Sequence, residues 1–152
     1  MKYKLNDFLI DGFKAKTLAK KYSTPLYCYS LKKIKENIKN FQKSFKSIDP
    51  LICFAVKANP NKVILRQMGK LGLGADVVSI GELMKALKSG IKPNKIVFSG
   101  VGKTEEELKI AINKKILLIN CESESEAKII NKIGKRSNKK VSIGFRLNPD
   151  ID

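Results

Sequence analysis

The sequence contains no histidine and no tryptophan, and it has three cysteines and 14 acidic residues against 31 basic ones. Without histidine, imidazole acid–base catalysis and His-ligated metal sites are excluded within this chain. Cys28, Cys53 and Cys121 stand alone inside apolar runs. They have neither metal-ligand nor disulfide spacing, so they read as small core hydrophobes and no metal is expected. The net charge of +17 raises the question of nucleic acid. Arginine, whose fork reads phosphates and bases, is confined to Arg66, Arg136 and Arg146. The lysines are spread along the whole chain, so a solvated, lysine-rich surface is the better account and nucleic acid is not an expected partner. No apolar run approaches the roughly 20 residues of a membrane helix. The first seven residues lack an apolar signal core, and a cytoplasmic protein is expected.

What is present is ordinary globular composition, 43% hydrophobic and 30% charged over 152 residues, enough for one domain with its own core. Short apolar runs predict strands over 25–29, 51–56, 75–78, 95–99, 116–120 and 141–147. Helix-period segments lie between them. Leu31, Ile34, Ile38, Phe41 and Phe45 form one apolar stripe, and Leu83, Met84 and Leu87, then Leu108, Ala111 and Ile112, mark later helices. Ser79-x-x-Glu82, Thr104-x-x-Glu107 and Ser123-x-x-Glu126 each fit a capping box. Gly72 and Gly90 are placed to end helices, and Pro60 to open one. The β-α alternation predicts a parallel sheet or a (β/α) barrel, with five βα strands counted from Leu51. The last residues follow a strand directly, which reads as an interrupted fold.

A Gly-Lys-Thr triplet at 102–104 imitates a P-loop, but that motif needs a glycine at position 97, where Val97 stands inside a strand. Nucleotide binding is therefore not expected. Four strand ends carry polar groups toward one side of the predicted sheet: Lys57, Asp76, the loop 99–103 and Arg146. A strand-end lysine is ordinarily surface, and Asp76 is able to serve its own turn. Lys57 offers the clearest chemistry. At the mouth of the apolar run "LICFAVK" it is expected to be partly desolvated, and a neutral amine attacks an aldehyde to form a Schiff base. Arg146 suits a negative oxygen.

These segments carry a resemblance. "FAVKANPN", "LGADVVSIGEL", "IVFSGVGKTEEEL", "NCESESE" and "FRLNPDID" occur in the order and spacing of the diaminopimelate decarboxylase family, and "TPLYCYS" is similar to that family's leading strand. The resemblance implies an α/β fold, a partial (β/α)8 TIM barrel of the alanine racemase-like, fold-type III type with five of its eight βα units, preceded by a leading strand and helix. It implies residues 1–30 as a leading segment that joins a C-terminal β domain, and 31–152 as part of the cofactor-binding barrel. It implies pyridoxal 5′-phosphate as cofactor, with Lys57 catalytic and cofactor-bearing, and Asp76 and Arg146 as further cofactor-binding residues. The implied reaction is decarboxylation of meso-2,6-diaminopimelate to L-lysine by an enzyme that forms a homodimer. Ile80 departs from the glycine common at that place. The histidine that stacks on the cofactor, the phosphate loop and the substrate residues are not among these residues, so little activity is expected from them alone. The alternatives are an ornithine or arginine decarboxylase or a racemase of the same fold, and, from another class, a basic nucleic-acid-binding module.

Overall fold

The structure is a computed structural model that describes residues 2–4, 6–45 and 47–149. The chain divides into two compact units, Met1–Pro50 and Leu51–Asp152.

In the first unit, β1 (Lys2–Lys4), β2 (Asp7–Ile10) and β3 (Phe13–Lys14) form an antiparallel sheet. Asp11 and Gly12 join β2 to β3, both with positive φ (49° and 91°), as a two-residue hairpin whose twist matches its strands requires. Asp-Gly between apolar residues is a strong hairpin signal, and sequence reading passed over it. α1 (Ala15–Tyr22) follows and was likewise not anticipated. α2 (Leu31–Ser44) carries the expected apolar stripe. Buried Ser30 caps it, accepting from Lys33 N at 2.9 Å and donating to Asp11 Oδ1 at 2.6 Å. The predicted strand over 25–29 pairs with no other strand among the described residues, because a strand exists only where a neighbour takes its hydrogen bonds.

The second unit is the βα repeat. β4 (Cys53–Ala55), β5 (Gly74–Val77), β6 (Ile96–Phe98), β7 (Leu118–Cys121) and β8 (Ile143–Phe145) pair in parallel in sequence order. Between them run α3 (Lys62–Lys70), α4 (Ile80–Lys88), α5 (Glu105–Asn113) and α6 (Glu124–Ser137). The α/β repeat of the expected partial (β/α)8 barrel is present, with each strand a few residues shorter than or offset from its predicted span. Pro60 does not open α3; Asn61 caps it, accepting from Val63 N at 2.9 Å, because a short polar side chain reaches the free N–H groups.

Burial alternates along β5, β6 and β7. Ala75, Val77, Ile96, Phe98, Ile119 and Cys121 are buried with the helix residues Leu65, Leu83, Leu108, Ala111 and Ile130. Their neighbours Ala55, Asp76, Val97, Leu118 and Asn120 are only half-buried. One sheet face is thus packed under helices, each large side chain contributing about 1.5–3 kcal/mol. The other face carries the polar residues.

Gly72 ends α3 in the left-handed conformation (φ 80°), with Leu73 N returning to Met68 O at 3.1 Å. Gly74 is needed for space: a Cβ there would overlap the Lys95 carbonyl oxygen and lie 2.8 Å from Cys53 Sγ. Gly69, inside α3, has room for a methyl group at 3.4 Å from its nearest neighbours. Gly74→Ala is therefore expected to lower stability in urea unfolding by about 3 kcal/mol, because backbone cannot give way. Gly69→Ala is expected to be neutral or slightly stabilising in the same measurement.

Candidate active site

After Ala55, β4 runs into a single 3-10 turn, Val56–Ala58, closed by Asn59 N donating to Val56 O at 3.1 Å. Val56 is fully buried and anchors the turn, while Lys57 at its centre is exposed. The expected desolvation of Lys57 is thus not what these residues produce: the apolar run buries the strand, and the turn lifts its lysine clear of it.

The parallel register sets Ala55 beside Asp76 and Asp76 beside Val97. Val97 pairs with Leu118 at that level, and Asn120 pairs with Gly144 two residues nearer the strand ends. Asp76 is half-buried, and its Oδ1 accepts from Ser99 Oγ at 2.6 Å. Ser99 Oγ in turn accepts from Asn120 Nδ2 at 3.0 Å. Asn120 was no candidate in sequence reading, and Ser99 entered only as part of a loop. The usable signal was their common position at the ends of successive strands.

Arg146 follows β8 and donates its backbone N–H to Cys121 O at 3.0 Å. Its exposed guanidinium lies near Asn148 Oδ1 (Nε, 3.3 Å) and Glu122 Oε2 (3.8 Å). Lys57, Asp76 and Arg146 therefore all stand at the C-terminal ends of strands, with Ser99 and Asn120 between them.

Lys103 does not join them. Its side chain is 1% exposed, with Nζ 2.7 Å from Glu126 Oε1, donating to Gly100 O at 2.7 Å and lying over the Phe98 ring. The lysine that imitated a P-loop is thus a buried strut. Glu126 also accepts from Glu122 N through Oε2 at 2.8 Å, leaving the ammonium as the partner of Oε1.

Carboxylates tie this rim together. The Thr104–Glu107 capping box is complete, and Glu107 Oε1 also accepts from Ile80 N at 3.1 Å in the preceding unit. At Ser79 and Ser123 the hydroxyl caps as expected, but Glu82 and Glu126 reach one residue further back, to Val78 N and Glu122 N. Glu122 Oε1 accepts from Gly100 N at 3.0 Å. Ile80 is the first residue of α4 with ordinary backbone geometry, so the position does not require glycine.

The backbone N–H groups of Thr104 and Ile80 hold the Glu107 carboxyl below the usual glutamate range. Burial pushes the Cys53 and Cys121 thiols up, helped by the charges of Asp76 and Glu126 respectively, so both stay protonated at neutral pH as inert packing groups.

A parallel βα repeat with an amine, a carboxylate and a guanidinium at the C-terminal ends of its strands has the layout of an α/β enzyme domain. The family described as "Pyridoxal-dependent decarboxylase, pyridoxal binding domain" matches residues 31–152, and the chain belongs to it. Pyridoxal phosphate is the cofactor of that family. The chain is 46% identical to diaminopimelate decarboxylase of Aquifex aeolicus over 152 residues, covering 100% of this chain and 36% of that protein. It is 48% identical to the Helicobacter pylori (strain J99) enzyme over 140 residues, covering 92% and 35%. The crystal structure of diaminopimelate decarboxylase from M. jannaschii in complex with L-lysine superposes with a TM-score of 0.94 at 39% identity, covering 99% of this chain and 36% of that one. The chain thus spans about a third of the length of these relatives.

Two outcomes are expected at the rim. Glu126→Gln keeps the cap but strands the Lys103 ammonium, and urea unfolding should register a loss of about 3–5 kcal/mol. Glu107 has a lowered folded pKa, so its contribution is complete above the ordinary glutamate value of about 4.3 and is lost as pH falls through the folded value. Stability measured at a series of pH values should fall less steeply on that acid limb in Glu107→Gln than in the unsubstituted protein.

Proposed function

We propose that this chain is the lysine-bearing part of a diaminopimelate decarboxylase, converting meso-2,6-diaminopimelate to L-lysine and carbon dioxide. The observation that carries this reading is the 46% identity to the Aquifex aeolicus enzyme over all 152 residues of this chain. The residues present suit pyridoxal phosphate: Lys57 is a reachable primary amine for its aldehyde, and Arg146 is a permanent cation for one of its anionic oxygens. When bound, the cofactor supplies the sink for the electron pair left when the carboxylate carbon departs as carbon dioxide. Lys57 Nζ holds the cofactor and returns a proton to the substrate carbon. Asp76, set beside Ala55 in the register, orients the groups around that amine. Residues 1–30 act as the leading segment and 31–152 as the cofactor-binding part, in a homodimeric cytoplasmic enzyme. No helix among the described residues is long and apolar enough to cross a membrane. Decarboxylation requires the further two thirds that the relatives carry.

The test is reductive trapping. Pyridoxal phosphate with borohydride, followed by peptide mapping, should place the label on Lys57, and Lys57→Arg should remove most of it. Label distributed over other lysines with Lys57 unmodified would overturn the assignment. The 152 residues alone should release no measurable carbon dioxide from diaminopimelate.

A further inference from the structure

The half-buried face of the sheet carries a directed chain of hydrogen bonds across three adjacent strands. Asn120 Nδ2 donates to Ser99 Oγ at 3.0 Å, and the Ser99 hydroxyl, with its one proton, donates to Asp76 Oδ1 at 2.6 Å. Each link fixes the next. If Asp76 turns away, the Ser99 proton loses its carboxylate, and Asn120 then faces a hydroxyl free to rotate.

A fourth strand makes room for the chain. Asn120 pairs with Gly144, and a Cβ at position 144 would lie 2.8 Å from Asn120 Oδ1. Any larger residue there would push the amide out of line.

Folding alone does not call for this arrangement. All three residues are half-buried rather than sealed, so water is able to satisfy each of them separately. In barrels of this topology the inward positions are ordinarily filled by bulky branched side chains, and Val97 and Leu118, level with Asp76, do that one step below Ser99 and Asn120 on the same face. On β6 and β7 the change from branched apolar to polar residues comes at the strand ends, while on β5 Asp76 already stands one step lower, level with Ala55, which leads into the turn that presents Lys57.

We propose that Ser99 and Asn120 are positioning residues: they hold the Asp76 carboxylate in one orientation, and through it the setting of the cofactor on Lys57. This rests on the reading of Lys57 as the cofactor lysine, and it adds two residues and a direction of hydrogen bonding to that site.

The test compares the unsubstituted protein with Ser99→Ala, Ser99→Thr and Asn120→Ala after loading with pyridoxal phosphate. Two quantities are read: label on Lys57 after borohydride, and the induced circular dichroism of the bound cofactor per labelled lysine, which reports fixed orientation. Ser99→Ala and Asn120→Ala should keep Lys57 labelling within about twofold yet lose about half or more of the dichroism, while Ser99→Thr, which keeps the hydroxyl, retains both. In cofactor-free protein, the Asn120 side-chain amide signals in NMR should move in Ser99→Ala and stay in Ser99→Thr. Unchanged dichroism in Ser99→Ala with Lys57 labelled would overturn the positioning role alone. Absence of label from Lys57 in the unsubstituted protein would instead overturn the cofactor-lysine reading on which it rests. An unmoved Asn120 amide in Ser99→Ala would remove the chain of hydrogen bonds itself.

Discussion

Everything at the candidate site depends on the parallel register of β4 to β8. Backbone hydrogen bonds set Ala55, Asp76 and Val97 abreast, and alternation of side chains sends their neighbours Ala75, Val77, Ile96 and Phe98 under the helices. A slip of β5 by one residue against its neighbours would bury Asp76 and expose Val77. The apolar face therefore enforces the polar one: the free energy of burying the core holds Asp76, Ser99 and Asn120 in hydrogen-bonding reach. Gly74 and Gly144 are part of the same constraint, since each stands where a neighbouring strand or side chain leaves no room for a Cβ.

Four of the 14 acidic residues of this strongly basic chain serve the backbone of the rim. Glu82, Glu107, Glu122 and Glu126 each accept from main-chain N–H groups at the ends of strands or the starts of helices. Glu107 and Glu122 do so across consecutive βα units, so the loops of the rim are tied to one another rather than each to its own helix. Lys103 completes the arrangement from inside, its charge answered by Glu126 and by a carbonyl. Such a rim keeps its shape without large apolar contacts that would close the strand ends.

Much of this was legible beforehand. Apolar runs located all five parallel strands, and helix-start patterns located Ser79, Thr104 and Ser123 as caps, because those signals are local in the chain. Lys57 stood out for the same reason, as the one charge closing a long apolar run. The antiparallel hairpin at Asp11-Gly12 was equally local and was passed over, since its strands are only two to four residues long. The stretch 25–29 has the residues of a strand but no partner strand among the described residues.

By itself, the sequence determined the family and the βα order from Leu51 onward, and it singled out Lys57 as the candidate amine, because these rest on periodicity and on motifs read along one line. Tertiary structure alone decided which polar residues act together. Asp76, Ser99 and Asn120 are separated by more than twenty residues at each step and become neighbours only through register. It also decided that Lys103 is a strut and Lys57 an open amine. Two lysines near strand ends look alike in a sequence; they differ in whether a carboxylate and a carbonyl meet the ammonium inside the fold, or a tight turn delivers it to solvent.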